Sequence, residues 1–91
     1  MERQLLELAR LDPLTGIYNR RYFNELAGRY LEQARQAQAD FSLLVMDLDK
    51  FKSINDRFGH AGGDEVLKRF CTMVQSTLTE DAVLGRYGGE E

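Results

Sequence analysis

The sequence holds very little of several residue types that mark particular classes of protein. It has one cysteine, one proline, one histidine and no tryptophan among 91 residues. A single cysteine excludes an internal disulfide, and Cys71 falls in an apolar helical pattern, so we expect a buried, reduced thiol. The longest mostly apolar run, Phe41–Met46, is too short to cross a bilayer, and no signal peptide is visible.

The charge balance narrows the classes of partner. Twelve basic and 15 acidic residues give a formal net charge of −3. A general nucleic-acid binder would carry a basic face, so we expect no nucleic-acid partner. A phosphate ligand stays compatible with this charge, because a metal ion can supply the positive charge. We expect a cytoplasmic protein, and a membrane tether upstream of Met1 stays open.

Hydrophobic periodicity predicts a protein that mixes helices and strands. Helices are predicted for residues 1–11, 20–38 and 64–78, and strands for residues 41–46 and 83–87. The first strand is apolar enough to be buried on both faces. This order predicts an α/β fold (an α+β sandwich) with a central mixed sheet flanked by helices. Residues 1–11 are interpreted either as a helix packed on its own domain or as a connector helix from an upstream module, and residues 12–91 as the domain.

Two aspartates directly follow the first predicted strand. The strand period of two places Asp47 and Asp49 on one side and Leu48 on the other. In sheets covered by helices, ligands collect at the carboxyl ends of strands. Two carboxylates there suit Mg²⁺ or Mn²⁺ bound together with a substrate phosphate. Plain solvated charge is the alternative.

Three kinds of functional site could contain this pair of aspartates. An EF-hand needs an oxygen ligand and then a glycine where Phe51 and Lys52 stand, so it fails. An aspartyl-nucleophile phosphatase favours a small hydroxyl residue where Phe51 stands. The third use, a nucleotide-condensing site, is supported by the residues that follow.

Those residues include a lysine and two planar polar groups. Lys52 is close enough in sequence to Asp47 to reach a phosphate on the metal. Asn55 and Asp64 can read a base edge, and a carboxylate suits the N1–H and 2-amino group of guanine. Helix capping is the alternative for both.

The sequence ends in a glycine pair followed by two glutamates. Gly88-Gly89-Glu90-Glu91 predicts the tip of a β-hairpin. Either its charges are simply solvated, or a glutamate lies opposite Asp47 and completes a metal cage.

Taken together, these stretches resemble the GGDEF domains, the diguanylate cyclases of bacterial signalling. The resemblance is carried, in the order and spacing of that family, by Asp12–Gly16, Asn19–Phe23, Asp47–Lys52, Ile54–Asp56, Gly59–His60, Gly63–Asp64 and Arg86–Glu91. The signature is present in its GGEE form, which in this family goes with catalytic competence. The resemblance implies a nucleotide-cyclase-like fold that condenses two GTP molecules into cyclic di-GMP.

The resemblance also implies roles for single residues. It assigns Asp47, the main-chain carbonyl of Leu48 and Glu90 to Mg²⁺, and Lys52 to the phosphates. Asn55 and Asp64 are assigned to the guanine. The catalytic residues implied are Glu90, Glu91 and Lys52, with Glu90 helping to deprotonate the attacking 3′-hydroxyl. A homodimer is required, because one domain holds one GTP, and an upstream sensor module is expected.

Two departures from the family pattern stand out. The product-inhibition motif Arg-x-x-Asp is replaced by Thr79-Glu80-Asp81-Ala82, so feedback inhibition through it is expected to be lost. The final Phe of the signature and the later elements are absent, so we expect a truncated domain with little activity alone. A non-catalytic module that binds GTP or cyclic di-GMP, or serves in dimerisation, is the alternative function.

Overall fold

The computed structural model describes residues 10–88 of the chain. Two helices make up its regular structure: α1 (Arg20–Ala37) and α2 (Phe51–Thr77). Within the described residues, neither helix is long and apolar enough to cross a membrane. The predicted helix at residues 1–11 lies almost wholly outside the described residues.

Helix α1 begins and ends with specific backbone contacts. The side chain of Asn19 caps it by accepting a hydrogen bond from the amide of Tyr22 at 2.9 Å. It ends where Gln38 adopts a left-handed conformation (φ 54°) and Ala39 N donates to Ala34 O at 2.8 Å. Leu26 is its buried residue. The helix predicted for residues 20–38 is therefore confirmed.

Helix α2 is longer than the sequence indicated. The predicted helix from residue 64 is confirmed, but the helical segment begins at Phe51, after a left-handed Lys50. A kink at Gly59 (φ 78°, ψ 172°) divides it. A residue with a side chain rarely adopts that positive φ, so glycine permits the kink. Helix α2 is thus one bent helix, with Gly59 as the junction of its two halves.

The predicted central sheet is wrong for the residues described. Residues 10–88 contain no strand, and only two isolated bridges occur, from Tyr18 to Leu11 (antiparallel) and to Gly85 (parallel). The run Phe41–Met46 is exposed, with Leu44 80% and Val45 73% accessible. A strand buried on both faces needs neighbours to bond its backbone and helices to cover its faces. The described residues supply neither to this run.

The core lies between the turn at residues 11–18 and helix α2. Phe51, Leu67 and Cys71 form its buried cluster, with four partly buried residues packed against it: Leu14, Ile17, Leu48 and Phe70. Cys71 is a buried free thiol, as predicted, and its burial raises the pKa of the thiol. The core therefore anchors the amino end of α2 next to Leu48.

Candidate functional site

The predicted metal ligands lie on the segment that leads into α2. Asp47 is exposed, and Leu48 is half-buried against the core cluster. The carbonyl oxygen of Leu48 accepts a hydrogen bond from Phe51 N at 3.4 Å. A carbonyl oxygen has two lone pairs, so this long bond leaves one for another ligand. Asp47 and Leu48 thus offer two adjacent hard oxygen donors, the donor type that Mg²⁺ and Mn²⁺ prefer.

The predicted nucleotide-binding residues lie on α2, on both sides of its kink. Lys52 is exposed and Asn55 is half-buried in the first half, and Asp64 is exposed in the second. The side-chain oxygen of Asn55 occupies the space beside Gly63: a Cβ at Gly63 would overlap that oxygen and lie 2.8 Å from Asn55 Cγ. The kink therefore brings Asn55 against the residue next to Asp64. The sequence did not reveal this contact, although a glycine inside a helix can signal a close approach.

An ion pair across the fold holds the segment before the glycine pair. Arg86 Nη1 lies 3.2 and 3.3 Å from the two carboxylate oxygens of Asp12, and Arg86 Nε donates to Gly88 O at 3.1 Å. Asp12 also accepts from the amide and hydroxyl of Thr15, at 2.9 and 2.8 Å. The arginine thus joins the turn at residues 12–16 to the carbonyl of Gly88. Asp12 was singled out only as part of the Asp12–Gly16 motif, and the sequence did not indicate this link to Arg86.

A second arginine holds the neighbouring tyrosine. The guanidinium of Arg20 lies over the ring of Tyr87, 4.2 Å from its centroid, and Nη2 donates to the tyrosine hydroxyl at 3.3 Å. The backbone is fixed as well, since Arg86 N donates to Tyr18 O at 2.9 Å. The approach to the glycine pair is therefore held from α1 and from the Asp12 turn.

The two glutamates predicted to be catalytic follow the segment that Arg20 and Arg86 contact. Glu90 and Glu91 lie outside the described residues, and so does Gly89. Among residues 10–88, no three histidine, cysteine or acidic residues are close enough to form a metal site. The predicted cage between Asp47 and Glu90 thus stays a prediction. A groove of about 870 Å³ lies beside the end of α2, and none of Asp47, Lys52, Asn55 and Asp64 lines it.

The pKa of the Asp12 carboxyl reflects its surroundings. Its side chain is 14% exposed. Burial raises the pKa, but the hydrogen bonds from Thr15 and the charge of Arg86 together outweigh burial, and the net pKa lies below its usual value. The carboxylate therefore contributes stability when ionised.

Replacing this carboxylate is expected to change the pH dependence of stability. A lowered folded-state pKa gives stability that is present above the unfolded pKa of about 3.9 and is lost as pH falls through the folded value. Asp12→Asn should therefore be less stable than wild type near neutral pH, and the difference should shrink below pH about 4. Urea unfolding between neutral and acid pH measures it. Asp40→Asn, at an exposed site, is the control, and a pH-independent difference for Asp12→Asn would contradict the assignment.

Comparison with known proteins identifies relatives along nearly the whole chain. The family model described as "Diguanylate cyclase, GGDEF domain" matches residues 9–91. The probable diguanylate cyclase DgcC of Escherichia coli K12 is 39% identical over 90 residues, which are 99% of this chain and 24% of that protein. The response regulator PleD of Caulobacter vibrioides is 44% identical over 86 residues, 94% of this chain and 19% of PleD. The chain thus spans less than a quarter of the length of either relative.

Solved structures of GGDEF domains and diguanylate cyclases are also similar to this chain. The diguanylate cyclase SiaD of Pseudomonas aeruginosa, solved with its activator SiaC, matches with a TM-score of 0.86 at 35% identity, covering 98% of this chain and 35% of SiaD. A microbial GGDEF domain solved with cyclic di-GMP matches with a TM-score of 0.82 at 39% identity, covering 90% of this chain and 54% of that one. The two-helix arrangement is therefore similar to part of these larger structures.

Proposed function

The chain belongs to the GGDEF domain family, and we propose that it forms the N-terminal part of a diguanylate cyclase domain, which condenses two GTP molecules into cyclic di-GMP and two pyrophosphates. The observation that carries this proposal is the contact of Asn55 with Gly63, beside Asp64. It supports the proposal because the two groups assigned to guanine belong to adjoining parts of one bent helix.

In the proposed reaction, each residue has a distinct task. Asn55 and Asp64 hold the guanine edge, and the ammonium of Lys52 neutralises phosphate charge. Asp47, the Leu48 carbonyl and Glu90 would hold Mg²⁺ or Mn²⁺, which supplies positive charge beside the transferred phosphate.

The chemical step is an in-line displacement. The 3′-oxygen of one GTP attacks the α-phosphorus of the other, and the bond from that phosphorus to pyrophosphate breaks. Glu90 takes the proton of the 3′-hydroxyl, and Glu91, the next residue in sequence, completes the signature. One domain holds one GTP, so two domains must face each other as a homodimer.

A second function has one observation in its favour. The chain is 40% identical over 87 residues to a Pseudomonas aeruginosa protein named cyclic di-GMP phosphodiesterase NbdA. Stretches of this family thus occur in proteins named for another activity, so a non-catalytic GTP-binding or cyclic di-GMP-binding module is the alternative. The presence of Asp47, Asn55, Asp64 and Glu90 favours the cyclase.

Incubation with GTP and Mg²⁺ separates the two functions. The complete domain containing this chain is expected to produce cyclic di-GMP, detected by chromatography, with a rate that rises as the dimer forms. A dimeric wild-type domain that binds GTP but yields no product would overturn the cyclase and support the binding module.

Gly63→Ala is expected to weaken GTP binding by about tenfold in the complete domain, the loss that corresponds to one hydrogen bond to a charged or polar group. The added Cβ would displace Asn55 from its place beside Gly63. Calorimetric titration with GTP under non-turnover conditions measures the change. Gly28→Ala is the matched control, since nothing lies within 4 Å of a Cβ at that position of α1. Unchanged binding by Gly63→Ala would remove Asn55 from the site.

A further inference from the structure

A shallow depression rich in arginine lies along α1, and none of the residues assigned to GTP lines it. Its volume is about 220 Å³, and the described residues that line it are Arg10, Arg21, Tyr22, Glu25 and Arg29. Arg21, Glu25 and Arg29 recur every four residues, which places them on one face of the helix. Three arginines thus line one small volume.

Arg10 is held in this depression by its backbone and by an aromatic ring. Its carbonyl oxygen accepts a hydrogen bond from Asn19 N at 2.8 Å. Its guanidinium carbon lies 5.0 Å from the centroid of the Tyr22 ring. The Tyr22 ring in turn lies 5.0 Å from that of Tyr18. A side chain that is already positioned loses less conformational freedom when a ligand binds.

The local charge contrasts with that of the whole chain. The chain has a net charge of −3, whereas three arginines face one glutamate among the described residues of the depression. Helix α1 also has no acidic residue in its first turn, so no negative charge there adds to the neutral Asn19 cap in offsetting the positive end of the helix dipole. Both features favour an anion at this place. Arg21 already takes part in another interaction, so Arg10 and Arg29 carry the inference.

We propose that this depression binds a phosphate group, either as free phosphate or pyrophosphate or as the terminal phosphate of a larger molecule. Guanidinium forks match pairs of phosphate oxygens better than any other side chain does. The volume is smaller than the roughly 300–1,000 Å³ of sites that enclose a whole organic ligand. Only the phosphate end of a larger ligand would therefore enter. This site is independent of the proposed cyclase reaction, which uses none of its residues.

Nuclear magnetic resonance of the arginine side chains tests the proposal. The 91-residue chain, labelled with ¹⁵N, is titrated with inorganic phosphate, with pyrophosphate and with adenosine monophosphate at constant ionic strength and without metal ions. Saturable shifts of the Nε–H signals of Arg10 and Arg29 are expected with all three. Linear shifts of similar size at every arginine, or no shifts, would overturn it.

Three variants test which residues form the phosphate site. Arg29→Gln is expected to weaken binding about tenfold, because one charge-assisted hydrogen bond is lost. Glu25→Gln is expected to tighten binding severalfold, because the Glu25 carboxylate, which repels the anion, is gone. Arg35→Gln, at an exposed arginine that pairs with Glu32 at 3.2 Å, should bind as wild type. Equal binding by Arg29→Gln and Arg35→Gln, or weaker binding by Glu25→Gln, would contradict the site; circular dichroism confirms that each variant keeps its helices.

Discussion

Glu90→Gln in the complete domain is expected to abolish cyclic di-GMP synthesis, lowering kcat by about 10³-fold or more. The variant keeps the size of the side chain but removes the carboxylate that is proposed to bind the metal and accept the 3′-hydroxyl proton. A general base alone contributes about 10² to 10⁴ in rate, and loss of a metal ligand adds to that. Chromatography of the products of GTP turnover measures the fall in kcat.

The control for this variant is another glutamate on the same chain. Glu80→Gln changes an exposed acidic residue in the segment that replaces the product-inhibition motif, and it should retain wild-type turnover. Retention of kcat within tenfold of wild type by Glu90→Gln, with the dimer and fold intact, would exclude Glu90 from the chemical step.

Leu67→Ala is expected to destabilise the chain by about 2–5 kcal/mol, the usual range for a fully buried leucine. Leu67 is 3% exposed and belongs to the three-residue core cluster with Phe51 and Cys71. A small domain has only about 5–15 kcal/mol of stability in total, so this loss would leave little. Urea unfolding monitored by circular dichroism measures the difference.

Val66 provides the matched control for the core. It precedes Leu67 in α2 but is 36% exposed, so Val66→Ala should cost less than about 1 kcal/mol. A loss of less than about 1 kcal/mol for Leu67→Ala as well would show that this cluster does not stabilise the fold.

The helices were predictable because the residues that determine a helix lie close together in sequence. Hydrophobic periodicity predicted α1 within one residue of its end. The amino half of α2 was missed because Gly59 interrupts the helical pattern and because Asn55 had helix capping as an alternative role. A kinked helix contains the same glycines that a loop would contain.

The sheet was predicted wrongly because strands depend on partners that are distant in sequence. Phe41–Met46 has the composition of a buried strand, but the described residues place nothing beside it, and the run is exposed. For the same reason, the Asp12–Arg86 pair was not foreseen, since 74 residues separate its members. Sequence patterns located both helices, but they did not indicate which distant residues meet.

The candidate site shows the same difference between what the motifs predicted and what only the structure revealed. The motifs identified the family, which the comparisons confirmed over residues 9–91. They named Asn55 and Asp64, but only the structure revealed that Gly63 gives the Asn55 side chain its space. Glu90 and Glu91 follow a segment that Arg20 and Arg86 hold in place, although they lie outside the described residues themselves.

A crystal structure of the complete domain with Mg²⁺ and a non-hydrolysable GTP analogue tests the residue assignment most directly. The expected result is a metal ion bound by Asp47, the carbonyl of Leu48 and Glu90, with the guanine edge on Asn55 and Asp64. A guanine bound elsewhere, or a metal ion that touches neither Asp47 nor Glu90, would contradict the account.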